Sequence, residues 1–322
     1  MSGRAAFLLA FLLAVAAALS LGVPWGDLAA LFEEDRGLAW AVLVELRAPR
    51  TLLALIYGAT LAASGAAVQA LFANPLASPD LTGTTSGAAL GAVVTAYLIG
   101  LSSPLALSFG AVAGALGALA LLLALAGPRA ETGTLLLAGL AISALAGALT
   151  TLALALAPSP FAFYDAYDWL MGSLVDRSLA QAAFAGVPAA IAILLLLRLS
   201  LPLDALALGE EVAESMGYRI VQLRRRVVCL TALGVGACVA ICGAIGFVGL
   251  VAPIFARRLT GGHPGRALWP AALIGALLLV AADLAVRAAP LGRTLPIGVL
   301  TALLGAPFFL WLVANMRWRM SR

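Results

Sequence analysis

The chain has 322 residues, of which 63% are hydrophobic and 11% charged, and its formal net charge is +4. Soluble domains have about 45–50% apolar and about 25% charged residues, so this composition excludes a single soluble core and indicates a protein embedded in lipid. All 19 basic residues are arginine, which excludes a Walker A loop and Schiff-base chemistry because both need a lysine.

Apolar runs follow one another along the whole chain. The first covers residues 5–22, and because further runs follow it, a retained first helix is favoured over a cleaved signal peptide. Crossing roughly 30 Å of hydrocarbon takes about 20 apolar residues, so the chain has room for on the order of ten spans. The spans are predicted at about 5–22, 49–71, 82–101, 104–126, 133–156, 180–199, 227–247, 248–259, 268–288 and 295–314.

Two segments depart from simple spans. The connection at 157–178 is rich in Tyr, Trp and Asp side chains, which predicts an interfacial helix held by an aromatic belt. The eighth run, at 248–259, is short, and Gly243, Gly246 and Gly249 lie at its entry. Irregular backbone at membrane depth is tolerated where protein surrounds it, so a broken or re-entrant piece is predicted here.

The distribution of arginines predicts the orientation. Thirteen arginines fall on one side of the predicted spans and six on the other. Because cytoplasmic loops are enriched in Arg and Lys, both termini and the charged segment at about 201–226 are predicted to be cytoplasmic. The connections at 23–46 and 157–178 then lie outside, as expected for a multi-pass membrane protein.

Small residues crowd several of the predicted spans. Gly110 and Gly114 stand in GxxxG spacing, and alanines surround Ser64 and Gly65. Such residues mark close helix packing and do not by themselves identify a cargo.

Little in the chain indicates a metal, a redox centre or nucleic acid as a partner. Cys229, Cys238 and Cys242 share one apolar stretch without a His or carboxylate beside them, so neither a metal site nor a disulfide is predicted. The lone His263 sits in a Gly/Pro-rich loop and is interpreted as a solvated residue. The basic residues form no stripe with interleaved aromatic residues, which argues against nucleic-acid binding.

One ionisable residue, Asp283, falls within a predicted span. Ion-driven transporters keep ionisable groups at mid-membrane, but Asp283 lies four residues before Arg287, on the same helical face. A helix-end ion pair is therefore favoured over a proton relay. The energy for any transport must then come from another source.

The charged segment at about 201–226 contains a predicted short helix. Glu210 and Glu211 would lie in its first turn and Gly217 just after its end, as the helix dipole and the C-cap preference favour. The helix is either a well-capped connection or an element that a partner protein grips.

Several motifs then become recognisable. Arg47-Ala48-Pro49-Arg50 precedes the second span, the stretch 57–91 contains Asn74-Pro75-Leu76-Ala77, and further motifs lie at 246–253 and 295–309. In this order and spacing they resemble the FecCD-type permeases, the membrane subunits of ABC importers for iron siderophores, haem and cobalamin. The resemblance covers the whole chain.

The resemblance implies an architecture and a set of partners. Residues 1–322 would form one permease domain with ten transmembrane helices, of the type II ABC importer architecture, and two copies would form a homodimer around a central pathway. Two ATP-binding subunits would supply ATP hydrolysis, because the permease has no ATPase site, and a soluble binding protein would deliver cargo. No cofactor is implied, and the remaining partner is the lipid bilayer.

The resemblance also assigns site residues. Glu211-Val212-Ala213 followed by Gly217 is similar to the EAA-x3-G coupling pattern of ABC importers. Arginines that match three positions of this chain form salt bridges with the binding protein in the family. The implied coupling residues are Gly209, Glu210, Glu211, Ala213 and Gly217, and the implied docking residues are Arg47, Arg50 and Arg287.

A wide pathway needs small and apolar lining residues. Ala63, Ser64, Ala67 and Leu71 on the second span are candidates, although periodicity alone cannot separate pathway from packing residues.

Three positions depart from the family pattern. Ile254 stands where a histidine is common, Thr294 where a glutamate is common, and Asp80 where a glycine is common. These departures weaken any assignment of cargo by analogy with one family member.

The cargo and two rival functions stay open at this point. A ferric siderophore is expected because it is the commonest use of the family, with haem and cobalamin as alternatives. An ion-coupled secondary transporter is the rival from another class, but it requires mid-membrane ionisable groups. A membrane-embedded enzyme ranks third, because no cluster of catalytic groups is found.

Overall fold

The computed structural model describes residues 3–22, 25–101, 103–127, 132–288 and 295–320. Within these ranges all regular structure is helical. The helices are α1 (Gly3–Gly22), α2 (Trp25–Glu34), α3 (Arg36–Ala41), α4 (Ala48–Leu71), α5 (Thr84–Tyr97), α6 (Pro104–Ala126), α7 (Thr132–Ala155), α8 (Pro160–Leu170), α9 (Leu179–Leu197), α10 (Ser200–Leu206), α11 (Glu210–Ser215), α12 (Ile220–Cys242), α13 (Val248–Leu259), α14 (Leu268–Ala288) and α15 (Ile297–Met320), with a π-helical turn at Val42–Arg47 and a 3₁₀ turn at Pro79–Thr82.

All ten predicted spans are helical, and they correspond to α1, α4, α5, α6, α7, α9, α12, α13, α14 and α15. In the described part of the chain, six continuous helices are long and apolar enough to cross a membrane, and the bent pair of α1 and α2 makes a seventh if it counts as one span. The 14 residues of α5 and the 12 of α13 are shorter than a full span. The chain is therefore an all-α polytopic membrane protein, and its helices are compatible with the ten predicted spans.

Glycines bring the central helices into close contact. A Cβ atom on Gly65 of α4 would lie 1.8 Å from the carbonyl oxygen of Gly249 on α13, and one on Gly58 would lie 2.3 Å from that of Gly275 on α14. The GxxxG glycine Gly114 packs in the same way against α5. Small side chains thus allow backbone-to-backbone packing, as the sequence predicted.

The helix boundaries differ from the predicted spans in three places. The connection at 23–46, predicted to lie outside, is helical over most of its described residues, because Asp35 caps α3 by accepting a hydrogen bond from the Leu38 N–H at 3.1 Å and the π-helical turn continues into α4. Helix α12 begins at Ile220, so it includes three arginines that the apolar run excluded. Helix α10 was not predicted.

The predicted break in the chain lies between α12 and α13. Helix α12 ends at Cys242, and α13 is only about 18 Å long at 1.5 Å per residue. Tyr57, fully buried on α4, donates a hydrogen bond to the carbonyl of Gly243 at 2.9 Å and accepts one from the N–H of Ile245 at 3.4 Å. One side chain therefore satisfies two backbone groups of the non-helical segment, at its buried residues Gly243 and Ile245.

Candidate functional site

At the predicted outer end of the bundle, one carboxylate holds two arginines. The Oδ1 atom of Asp283, on α14, lies 2.8 Å from both Nε and Nη2 of Arg50 at the start of α4. Its Oδ2 atom lies 2.7 Å from Nη2 of Arg287 one helical turn later. The predicted ion pair between Asp283 and Arg287 is confirmed, and Arg50 extends it to a second helix.

Helix α1 is joined to this cluster through its backbone. Arg287 donates a hydrogen bond to the carbonyl of Ser20 at 2.7 Å. Arg47 donates to the carbonyls of Leu21 and Gly22 at 3.1 and 2.9 Å. These carbonyls belong to the last turn of α1, where the helix dipole favours positive groups.

Charge and burial decide what the cluster can do. The side chain of Asp283 is 1% exposed, while those of Arg287 and Arg50 are 9% and 18% exposed. The three arginines face the carboxylate of Asp283 and, more distantly, that of Asp27, whose charge acts on Arg47, so the cluster keeps an excess of positive charge. Such a partly buried site suits a planar carboxylate from a partner, which a guanidinium binds bidentately.

The predicted docking residues are thus brought together, but they are not equivalent. Arg50 and Arg287 are already bound to Asp283, whereas no carboxylate of the described residues lies within 4.0 Å of Arg47. Arg47 is consequently the member of the set with the greatest remaining capacity to bind a carboxylate.

The predicted coupling helix is present at the opposite end as α11, which begins at Glu210. Gly209 and Gly217 flank it with φ values of +108° and +89°, which L side chains rarely adopt, so both positions require glycine. Glu210 forms an ion pair with Arg224 of α12. The short helix is therefore held in a defined orientation against the bundle.

The two faces of α11 differ sharply. Ala213 is fully buried against Ala205 and Ile220 of the same chain. Val212 and Met216, four residues apart, are 43% and 57% exposed. Any partner that grips α11 would meet this exposed apolar face, whereas Ala213 seats the helix on its own chain. The resemblance to the EAA-x3-G pattern implied Ala213 as a coupling residue, and the sequence of a six-residue helix has too few turns to show which face is buried.

The tentative pathway residues lie in the core of the chain. Ala63, Ser64 and Ala67 are 0% exposed and Leu71 is 4% exposed, within the packing of α4 against α13 and α14. None of them lines either the cavity beside α5 and α8 or the groove beside α15. In this chain they act as packing residues, and their role in a pathway stays a prediction.

Two cavities open near the predicted outer half of the bundle. One, of about 710 Å³, is lined by α5, α8 and the residues after α8, and includes Trp169 and Arg177. The other, of about 550 Å³, is an apolar groove between the end of α8, the 243–247 break and α15, and includes Ala244 and Gly298. The groove has the small apolar lining that was expected of a pathway, but on different helices.

The departures from the family pattern have different environments. Partly buried Asp80 accepts a hydrogen bond from the Thr85 hydroxyl at 2.7 Å. Desolvation raises the pKa of Asp80 above its ordinary value, and the Thr85 hydrogen bond opposes that rise. Ile254 is half-buried on α13, and Thr294 lies outside the described residues.

Comparison with solved structures places this arrangement in a known class. The chain superposes on an inward-facing conformation assigned to a metal-chelate type ABC transporter with a TM-score of 0.87 and 33% identity, covering 98% of this chain and 100% of that one. It also shares the fold of PsaBC from Streptococcus pneumoniae, with a TM-score of 0.57 and 18% identity over 88% of this chain and 94% of that one. The structural match places this fold in the type II class of ABC importer permeases.

Sequence comparison specifies the family. The FecCD transport family matches residues 6–315, and the chain belongs to this family. It is 41% identical over 292 residues to the vitamin B12 import system permease protein BtuC of Vibrio cholerae, covering 87% of this chain and 84% of that protein. BtuC of Citrobacter koseri is 42% identical over 278 residues, covering 85% and 83%.

Proposed function

We propose that this chain is the membrane-spanning subunit of an ATP-driven importer, and that it works as a homodimer with two ATP-binding subunits and a soluble binding protein. The observation that carries the proposal is the exposed apolar face of α11, formed by Val212 and Met216 on a helix whose other face is anchored. A short helix held this way offers a docking surface for a motor protein. The arginine cluster at the opposite end offers a second one, for an acidic partner.

The proposed location is a bacterial inner membrane, with both termini and α11 in the cytoplasm. The excess of arginines on that side supports this orientation. The ATP-binding subunits would then bind where ATP is available, and Arg47 would face the binding protein outside.

The proposed cargo is a corrinoid of the vitamin B12 type. Support comes from relatives at 41% and 42% identity that are named as vitamin B12 permeases. The expectation of a ferric siderophore rested on how often the family transports one, and it remains the competing cargo together with haem.

An ion-coupled transporter has less support. It would need an ionisable group able to exchange protons within a span, and Asp283 is held between two arginines at 2.7 and 2.8 Å. Both carboxylate oxygens of Asp283 are thus engaged by guanidinium groups, which makes it a structural ion pair between α4 and α14.

Reconstitution into proteoliposomes tests the proposal. The purified chain alone is expected to hydrolyse no ATP above background and to accumulate no cargo under a proton or sodium gradient. Adding the ATP-binding subunit, the binding protein and ATP should give uptake of cyanocobalamin in preference to ferric siderophore or haem. Gradient-driven uptake by the chain alone would refute the ATP-driven proposal, whereas ATP-driven uptake of a siderophore in preference to cyanocobalamin would refute only the cargo.

A further inference from the structure

Asp204 of α10 connects two parts of the chain that are far apart in sequence. Its Oδ1 atom accepts a hydrogen bond from the N–H of Gly265 at 2.7 Å, across 61 residues. Gly265 lies in the loop at 260–267 that joins α13 to α14. Asp204 therefore attaches the α10–α11 segment to the helices that pack around α4.

Hydrogen bonds connect the 260–267 loop to the end of α13 and within itself up to the start of α14. Its Thr260 hydroxyl lies 3.1 Å from the Ala256 carbonyl at the end of α13, and the Gly262 N–H donates to the Arg257 carbonyl at 2.9 Å. At the other end, the Ala267 N–H donates to the His263 carbonyl at 3.1 Å. These hydrogen bonds attach the loop to α13 and stabilise its conformation up to the start of α14. The Gly265 N–H makes none of them and instead donates to Asp204.

The joint between α10 and the loop is tightly packed. A Cβ atom on Gly265 would lie 1.9 Å from the carbonyl oxygen of Ser200 and 3.0 Å from Cγ of Asp204. Leu203 and Leu268 are fully buried in the same apolar cluster beneath the joint. The position of α10 is therefore fixed with respect to α14.

Helix α10 is equally well connected to α11. Ala213 of α11 packs against Ala205 of α10, and Leu206 lies beside the same small cluster. The Gly209 N–H donates to the Leu206 carbonyl at 3.1 Å. The two short helices consequently move as one unit, so a displacement of α11 is passed to Asp204.

We propose that Asp204 is a positioning residue that transmits movement of α11 to α13 and α14 through its hydrogen bond to Gly265. This inference rests on the proposed function, in which α11 is the surface that the ATP-binding subunit grips. From the loop, the displacement reaches α4 through the close contacts of Gly249 with Gly65 and of Gly275 with Gly58. Asp204 then couples ATP hydrolysis to the opening of the pathway.

The hydrogen bond, and not the nearby ion pair, carries this role. Arg266 Nε lies 3.9 Å from Asp204 Oδ2, and the Arg266 side chain is 67% exposed. Exposed pairs of this kind contribute little because water and salt screen them. The backbone N–H to carboxylate bond is shorter, and its acceptor is only 17% exposed.

The test measures ATPase activity and cargo uptake of the fully assembled importer in proteoliposomes. Asp204→Ala removes the acceptor, Asp204→Asn keeps a carbonyl oxygen in its place, and Arg266→Gln removes only the ion pair. For Asp204→Ala we expect assembly and an ATPase rate within about twofold of wild type, but uptake per ATP lower by about fivefold or more. Asp204→Asn and Arg266→Gln should retain uptake per ATP within about twofold of wild type.

Unchanged uptake per ATP in an assembled Asp204→Ala importer would overturn the inference while leaving the proposed function intact. A wild-type chain that does not assemble with any ATP-binding subunit would instead overturn the proposed function. If the Asp204→Ala chain does not fold, amide hydrogen exchange of the wild-type importer tests the inference instead. Exchange at 200–217 and 260–267 should then change together when ATP is added, and a change at 200–217 alone would overturn the inference.

Discussion

Asp283 Oδ1 lies 2.8 Å from both Nε and Nη2 of Arg50, although 233 residues separate the two in sequence. This pair joins the start of α4 to the last turns of α14, and Arg287 adds α1 through the carbonyl of Ser20. Arginines that were predicted as docking groups are thus also structural ties. Their two roles can be separated by experiment.

The first prediction concerns the stability of this cluster. Asp283→Asn leaves two largely buried guanidinium groups without their carboxylate, and we expect a loss of about 2–4 kcal/mol in the free energy of unfolding. Arg50→Gln should cost less, because Arg287 still pairs with Asp283. Unfolding in detergent of both single variants and the double variant should give a coupling energy of about 1–3 kcal/mol. Additive effects would show that Arg50 and Asp283 do not stabilise each other.

The second prediction concerns docking of the binding protein. Arg47→Glu should lower its affinity about tenfold or more and weaken the salt dependence of binding, because an attractive charge becomes repulsive. Arg50→Glu is a poorer test, since it places a second carboxylate beside Asp283 and would destabilise the chain. Titration of the purified transporter with its binding protein measures both quantities.

The matched control for docking is Arg36→Glu. Arg36 is exposed on the same predicted outer side, but it belongs to α3 and not to the cluster. Equal losses of affinity in the Arg36 and Arg47 variants would mean that overall charge, and not this cluster, attracts the partner.

The third prediction separates the two faces of α11. Met216→Glu puts a charge on the exposed apolar face and should abolish assembly with the ATP-binding subunit without changing the melting temperature. Ala213→Trp should instead destabilise the chain by about 1–3 kcal/mol, because no space exists beneath the helix. Copurification and thermal unfolding distinguish these results, with exposed Arg219→Gln as the control. Normal assembly of Met216→Glu would show that α11 is only a connection.

The outcome for these sites shows which relationships a sequence can reveal. The glutamates of its first turn and Gly217 predicted α11, and the four-residue spacing predicted the Asp283–Arg287 pair, because both depend on neighbours within one helix. Neither the approach of Arg50 to Asp283 nor the contact of Tyr57 with Gly243 has a local signal, since each depends on how distant helices pack. The alanines of α4 suit either a pathway or close packing, and only the packed positions of α13 and α14 show that they fill the core.

The fourth prediction concerns Asp80 and pH. The pKa of Asp80 is raised in the folded chain by desolvation, so the folded state binds its proton more tightly than the unfolded state does. Stability is therefore lost as the pH rises through the folded-state pKa, from an unfolded value near 3.8. Asp80→Asn has no such loss and can still accept the Thr85 hydrogen bond. Its melting temperature should exceed that of wild type at pH 7, by a margin that shrinks toward pH 4; parallel pH profiles would contradict this account.

The last prediction concerns the hydroxyl of Tyr57. Tyr57→Phe keeps the buried ring but leaves the carbonyl of buried Gly243 and the N–H of buried Ile245 without their partner, which should cost about 1–3 kcal/mol. We expect a lower melting temperature in detergent and faster amide exchange at residues 243–247. Tyr167→Phe is the matched control, because Tyr167 is 45% exposed on α8. Removing its hydroxyl should therefore change the free energy of unfolding little. If the two variants melt at the same temperature, the break between α12 and α13 is stabilised by its glycine contacts and not by Tyr57.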